Sequence, residues 1–292
     1  MPRTATSDID GKSPPFDRFE SIRRLATARS GHASPEHARH QLYVARDKRS
    51  HGHVLIKLTT KPGIVYQNNL INEIATLSTI NRELPDSRYF PFVVEHGRLR
   101  DGRTYLATSL FDELPLAMTI GPEPAPERMV THLRTAIEVA KALGEIHPLN
   151  IFHVDLNPMN ILFRTERGRP LIRLVDFESS YDLARHSAGV FYDPPTTAGY
   201  CAPEISSRAP DARSDLFSLG AVLYTMLASY HWTWGSDVGT SLIANRDLDP
   251  EIKEILLIAV DPDPDRRYAS VGEYHDALAA YLERIWPGRS WS

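Results

Sequence analysis

Polar and apolar positions alternate with a period of two in the first third of the chain and with a period near 3.6 in the rest. Leu42-Tyr43-Val44-Ala45-Arg46-Asp47 and His53-Val54-Leu55-Ile56-Lys57-Leu58 read as two strands joined by a polar turn containing Gly52, a hairpin pattern. From Tyr66 to Ile80 the apolar residues Leu70, Ile74, Leu77 and Ile80 recur at helical spacing. Phe92-Val93-Val94 and Tyr105-Leu106-Ala107-Thr108 then predict a second strand pair around Asp101-Gly102.

Past the proline-rich stretch from Gly121 to Pro126 the pattern becomes helical. Met129 to Ile146 carries a strong helical period, and Asp215 to Ser229, Ile252 to Val260 and Val271 to Ile285 supply further helices. This order predicts an α+β chain with a smaller β-rich region over 17–112 and a larger helical region over 113–288. Residues 1–16 are rich in Ser, Thr, Pro and charge without an apolar face, and predict a mobile tail.

Composition narrows the function classes. With 292 residues, 42% of them hydrophobic, the chain has ample material for a core. The net charge of -4 and the scattering of Lys and Arg argue against a nucleic-acid or membrane-surface protein. The single cysteine, Cys201, demands no oxidising compartment. The longest largely apolar stretch, Leu219 to Ser229, is too short to span a bilayer, and the polar start lacks a signal-peptide core, so a cytoplasmic location is expected.

The chemistry concentrates in His153-Val154-Asp155-Leu156-Asn157-Pro158-Met159-Asn160-Ile161-Leu162, followed by Leu174-Val175-Asp176-Phe177-Glu178. These two segments resemble the catalytic and metal-binding loops of the protein kinase family, and the resemblance spans roughly residues 19 to 285. It implies a bilobal fold and transfer of the γ-phosphate of ATP to a protein hydroxyl, with Mg2+ or Mn2+ as cofactor. It assigns Asp155 as the base that receives the attacking hydroxyl's hydrogen bond, and Asn160 and Asp176 as metal ligands, hard oxygen donors suited to Mg2+. Lys57, closing Val54-Leu55-Ile56-Lys57, falls where the family holds the α and β phosphates, and Glu73, sixteen residues on, where its ion-pair partner sits. Leu55, Thr108 and Leu162 fall at positions around the adenine, with Ser109 to Phe111 as the hinge backbone.

Downstream, Gly199-Tyr200-Cys201-Ala202-Pro203-Glu204 resembles the end of an activation segment, and Ser214-Asp215-Leu216-Phe217-Ser218-Leu219-Gly220 the buried helix whose aspartate supports the catalytic loop. Asp263-Pro264-Asp265-Arg266-Arg267-Tyr268 resembles the last family motif, where Arg267 would pair with Glu204. The closing run to Ala277-Leu278 looks most like bacterial Ser/Thr kinases.

Five departures stand beside these matches. The glycine positions of the family's phosphate loop fall on Pro35, His37 and His40, so the loop predicts a longer, different form, with Arg29 and Arg39 as basic residues that could clamp phosphate. Leu55 replaces the small residue that packs on adenine. Asn157 replaces the lysine that neutralises the γ-phosphate, where such an electrostatic contact is worth about 2.7–4 kcal/mol. Glu178 replaces the glycine of Asp-Phe-Gly, as a third oxygen ligand or a solvated loop residue. Val154 stands where an arginine would receive a phosphorylated activation loop, whose hydroxyl candidates here are Ser179, Ser180, Tyr181, Thr196 and Thr197. Two other function classes follow from these departures: a pseudokinase acting as a regulatory partner of another protein, and a small-molecule phosphotransferase.

Overall fold

The computed structural model describes residues 9, 11–25, 39–190, 192–195, 197–229 and 237–287. They fall into two compact units, one comprising the chain to Asn81 with Pro91–Asp112, the other Arg82–Phe90 with the chain from Glu113 onward.

The first unit is an antiparallel sheet with a helix. Its strands are β1 (Phe19–Arg24), β2 (His40–Asp47), β3 (His53–Thr59), β4 (Val93–Arg98) and β5 (Thr104–Ser109), in the order β1-β2-β3-β5-β4. The register pairs Tyr43 with Ile56, Ala45 with Val54, and Ile56 with Ala107, so the buried members of each alternating strand share one face. That face forms a core with Phe16 and Phe19. The other face carries Leu55 and Lys57, opposite Thr108 and Leu106. The helix α1 (Ile64–Glu83) extends the predicted span at both ends and buries Leu70, Leu77 and Ile80.

The expected tail ends too late in the chain. Phe16 is only 5% exposed and meets the Tyr105 ring edge-on at 5.1 Å, because an aromatic next to the exposed end of the sheet gains more by covering it than by staying in water. Arg18 then clamps the segment to the hairpin, donating from Nε and Nη2 to Asp47 at 2.8 and 2.9 Å. Arg18 holds the buried Asp47 carboxyl well below the usual carboxylate range, against the opposing effect of burial.

The second unit is mainly helical: α2 (Met129–Ile146), α3 (Leu183–Ser187), α4 (Ala212–Ala228), α5 (Val238–Ala244), α6 (Pro250–Ala259) and α7 (Val271–Ile285). In α4 every residue from Ser214 to Leu227 is buried, as a central helix requires. A Cβ on its Gly220 would lie 2.9 Å from Val260 Cγ1 and 3.0 Å from Ala259 Cβ, so the glycine sets how near α4 and α6 approach. Short strands frame the motif loops: β6 (Leu114–Pro115), β7 (Ile151–Phe152), β8 (Ile161–Glu166), β9 (Arg169–Leu174) and β10 (Tyr181–Asp182), paired as β6-β8-β9 and β7-β10. No helix among the described residues is long and apolar enough to cross a membrane.

Candidate functional site

In the first unit Lys57 projects from β3 and donates from Nζ to Glu73 Oε2 of α1 at 2.7 Å. The pair is largely shielded from water, at 14% and 3% side-chain exposure. Strand register explains the placement: Lys57 shares a face with Leu55, which pairs directly with Thr108. Two of the amides in the segment from Ser109 to Phe111 already have partners. The Ser109 N–H donates to Phe92 O at 2.9 Å and the Leu110 N–H to His53 O at 3.0 Å, so both amides close the sheet and are not available to an adenine ring. Ser109 Oγ also accepts from the Phe92 N–H at 2.9 Å. Phe111 lies half-buried beyond this edge. Of the phosphate-loop positions, Pro35, His37 and Arg29 lie outside the described residues, whereas His40 belongs to β2 and Arg39 precedes it.

In the second unit the loop after β7 is built around Asp215 of α4, which is fully buried. Its Oδ2 accepts from the His153 N–H at 2.9 Å and its Oδ1 from the Val154 N–H at 2.7 Å, while His147 Nε2 lies 2.9 Å from Oδ2. The sequence foresaw the aspartate's support of this loop and missed His147. Val154 sits at φ 66, a left-handed conformation that a β-branched residue adopts only when its surroundings impose it. The buried His153 ring contacts Phe177 at 4.7 Å between centroids and reaches Val175 O through Nε2 at 3.1 Å. Phe177 in turn meets Phe90 edge-on at 5.9 Å.

Asp155 follows, and Asn160 Nδ2 donates to its backbone carbonyl at 2.9 Å and towards its Oδ2 at 3.3 Å. With its nitrogen so occupied, Asn160 has its amide oxygen left to offer a cation. Thr197 donates from Oγ1 to Asp155 Oδ1 at 2.5 Å, a link across 42 residues. Burial raises the Asp155 pKa, and the negative charge of Asp176 adds to the rise, against the Thr197 hydrogen bond. The Asn160 carbonyl accepts from the Val175 N–H at 3.0 Å, which brings the Asp176 segment alongside. Asp176 itself lies at φ 67. Carboxylate oxygens of Asp176 and Glu178 approach within 4.8 Å, so Glu178 is a neighbour of the expected ligand and not a distant loop charge. The two carboxylate oxygens are donors of the kind a hard divalent cation takes.

Asn157 does not stand as a free substitute for lysine. It is buried, its Nδ2 donates to Asp155 O at 3.0 Å, and its Oδ1 accepts from the Met159 N–H at 2.9 Å. An uncharged amide tied on both sides shapes the loop, and it brings no positive charge to the position where the resemblance expects a lysine. Leu162 lies half-buried on β8, opposite Pro115 and Arg173. Among the activation-segment hydroxyls, Ser180 is fully buried and donates to Phe177 O at 2.7 Å, Tyr181 is 8% exposed, Thr197 is held on Asp155, and Thr196 lies outside the described residues.

The end of that segment is anchored firmly. Arg267 Nη1 and Nη2 donate to the two oxygens of Glu204 at 2.9 and 2.8 Å, and Ser214 Oγ donates to Glu204 Oε1 at 2.8 Å. The Arg267 guanidinium lies over the Phe217 ring at 4.9 Å. Nearby, burial pushes the Cys201 thiol up to about 12, aided by the charges of Asp155 and Glu204, which leaves it unreactive at neutral pH.

Comparisons with known proteins show the family and the fold. Over 198 residues, 62% of this chain, it is 28% identical to the serine/threonine-protein kinase Pkn1 of Myxococcus xanthus, and the match covers 28% of that protein. A 94-residue segment is 42% identical to ribosomal protein S6 kinase alpha-2 of Homo sapiens, covering 32% of this chain and 13% of the relative. This chain thus spans less than a third of the curated relatives it matches. The crystal structure of the Mycobacterium tuberculosis PknI kinase domain superposes with a TM-score of 0.61 at 20% identity, covering 88% of this chain and 94% of that one. A double mutant of the same domain gives 0.61 at 19% identity, over 90% and 95%. The two-lobed protein kinase fold is therefore shared. Residues 39–270 match the family model described as the protein kinase domain, and the chain belongs to that family.

Proposed function

We propose that this chain is an ATP- and Mg2+-dependent protein Ser/Thr kinase of bacterial type that transfers the γ-phosphate to a protein hydroxyl in the cytoplasm. The observation that carries the reading is the Asp155 loop: a carboxylate held by Asn160 and Thr197 on a backbone pinned to Asp215. Asp155 would orient and receive the proton of the attacking hydroxyl, and burial shifts its pKa upward, the direction that strengthens a base. Lys57, aimed by Glu73, would hold phosphate oxygens. Asn160 and Asp176 would hold Mg2+, or Mn2+ in its place, with Glu178 as a further oxygen donor, and the bound ion would supply positive charge to the transferring phosphoryl group. The Glu204–Arg267 pair supports a protein over a small molecule as acceptor.

A second reading, a pseudokinase serving as a regulatory partner, is favoured by Asn157, whose amide closes the loop where the resemblance expects a lysine. Intact mass recorded during incubation with ATP and Mg2+ separates the two. Phosphate-sized steps in the wild type, absent in Asp155→Ala and Asp176→Ala, are expected of the kinase. No step in the wild type, alone or with general protein substrates, would give the pseudokinase the better claim.

A further inference from the structure

Two short segments of the second unit hold apolar side chains in water beside the loop that carries Asp155. Leu114 of β6, Met118 and Met159 are 57%, 61% and 50% exposed. Local structure fixes Met159 there. The Asn160 N–H donates to Asn157 O at 3.0 Å and closes a turn with Pro158 and Met159 at its tip, a place usually given to polar residues or glycine. The Met159 N–H, held on Asn157 Oδ1 at 2.9 Å, fixes the tip from its other side.

A further bond joins this turn to the second segment. The Ala117 N–H donates to Pro158 O at 2.9 Å, so Met118 and Met159 each follow a member of the bonded pair. Leu114 pairs with Phe163 of β8, the strand that leaves the turn. Single exposed apolar residues are ordinary on a protein surface, whereas a group on joined segments marks a place of contact. Neither Leu114 to Ile120 nor Leu156 to Leu162 contains a charged residue. The neighbouring Glu113 carboxylate is 3% exposed and faces Arg164 and Arg173 at 3.8 and 3.7 Å. A basic side chain placed on these segments finds no ion partner in them, while an apolar one gains by leaving water. Methionine, unbranched and polarizable, adapts to several apolar shapes.

Met159 is four residues from Asp155, a stretch of at most about 14 Å that an extended peptide covers in about four residues. We propose, resting on the kinase reading above, that Leu114, Met118 and Met159 form a subsite for an apolar side chain of the protein substrate, within about four residues of the acceptor hydroxyl.

A scan of serine peptides in a polar background tests this on the full chain, with one leucine or one arginine placed in turn at each flanking residue out to the fourth. At one position leucine is expected to give at least about tenfold the kcat/KM of arginine, the effect of burying part of one aliphatic side chain. In Met159→Glu that ratio should fall below one, a change that a general loss of activity does not produce. The chain's five methionines give a readout that needs no turnover. With 13C-methyl methionine, the Met118 and Met159 resonances should shift on titration with the preferred leucine peptide, while that of Met226, 2% exposed, serves as reference. Phosphate transfer at equal rates for leucine and arginine throughout, or no methyl shift at millimolar peptide, would overturn the subsite and leave the kinase reading intact. Methyl shifts confined to leucine peptides, with no transfer to any peptide, would keep the apolar subsite and sink the kinase reading.

Discussion

The Val154 N–H donates to Asp215 Oδ1 at 2.7 Å, and through that bond a helix in the middle of the second unit dictates the backbone of the catalytic loop. Val154 at φ 66 stores strain that the bond offsets, together with the His153 N–H at 2.9 Å on the other oxygen. Asp215→Ala strands two buried amides and the His147 ring. Stability should fall by about 3–5 kcal/mol, read by denaturant unfolding, and phosphotransfer should fall further than the loss of folded protein explains. Retention of wild-type stability would show that the loop holds itself.

Glu204 and Arg267 form a doubly hydrogen-bonded pair whose side chains are 6% and 0% exposed. Burial alone would raise the Glu204 pKa, but the Arg267 hydrogen bonds win and lower it. Arg267→Ala leaves a buried carboxylate without its cation and should cost about 3–5 kcal/mol. Arg267→Lys should recover less than half of that, since an ammonium cannot reproduce the two parallel bonds or the contact with Phe217. Thermal unfolding of the two variants tests the ordering.

His132 gives the second unit a dependence on pH. Its folded pKa is lowered to about 4 from 6.5, so below 6.5 the unfolded chain binds a proton that the folded chain refuses. The stability it contributes is fully present above 6.5 and is lost as pH falls through 6.5 towards 4, roughly 3 kcal/mol in all. Arg128 and the Met226 backbone are the polar groups that act on it. Carboxylates titrate in part of the same window, so the quantity to measure is the difference between wild type and His132→Phe, which should change with pH between 6.5 and 4 and be flat above.

Elements with a strong period were legible in the chain, and those shaped by distant partners were not. Met129–Ile146 was readable to the residue because Leu133, Ile137, Ala140 and Leu143 return to one buried face every three to four positions. β8 and β9 escaped notice: with arginines at 164, 167, 169 and 173 their alternation is weak, and only the Arg167-Gly168 turn, at φ 49 and 76, marks a hairpin. α5 has seven residues, too few for a period to show. At the site, Lys57 with Glu73 and Glu204 with Arg267 could be named from motif positions alone. The Thr197 bond to Asp155 spans 42 residues, and the capture of the Asn157 amide depends on loop geometry, which residue type does not encode. The burial of Phe16 likewise comes from the sheet it covers, not from the polar segment before it.

Lys57 and Glu73 are the place where structure and chemistry separate most cleanly. Their 2.7 Å pair is nearly buried, so removing the lysine alone, as in Lys57→Met, takes a charged hydrogen bond from the Glu73 carboxylate and should lower stability by about 1–3 kcal/mol. Exchanging the two, Lys57→Glu with Glu73→Lys, rebuilds an ion pair of the same composition across β3 and α1, and the melting temperature should return most of the way to that of the wild type. Phosphotransfer should not return. A cation on α1 no longer stands on the strand from which Lys57 would meet the phosphates, and losing such a contact lowers turnover by about 10²–10³. Thermal unfolding and phosphate incorporation measured on the same three proteins decide the matter. Recovery of both would mean that the pair serves the fold alone; recovery of stability without turnover assigns Lys57 a chemical duty beyond its partner.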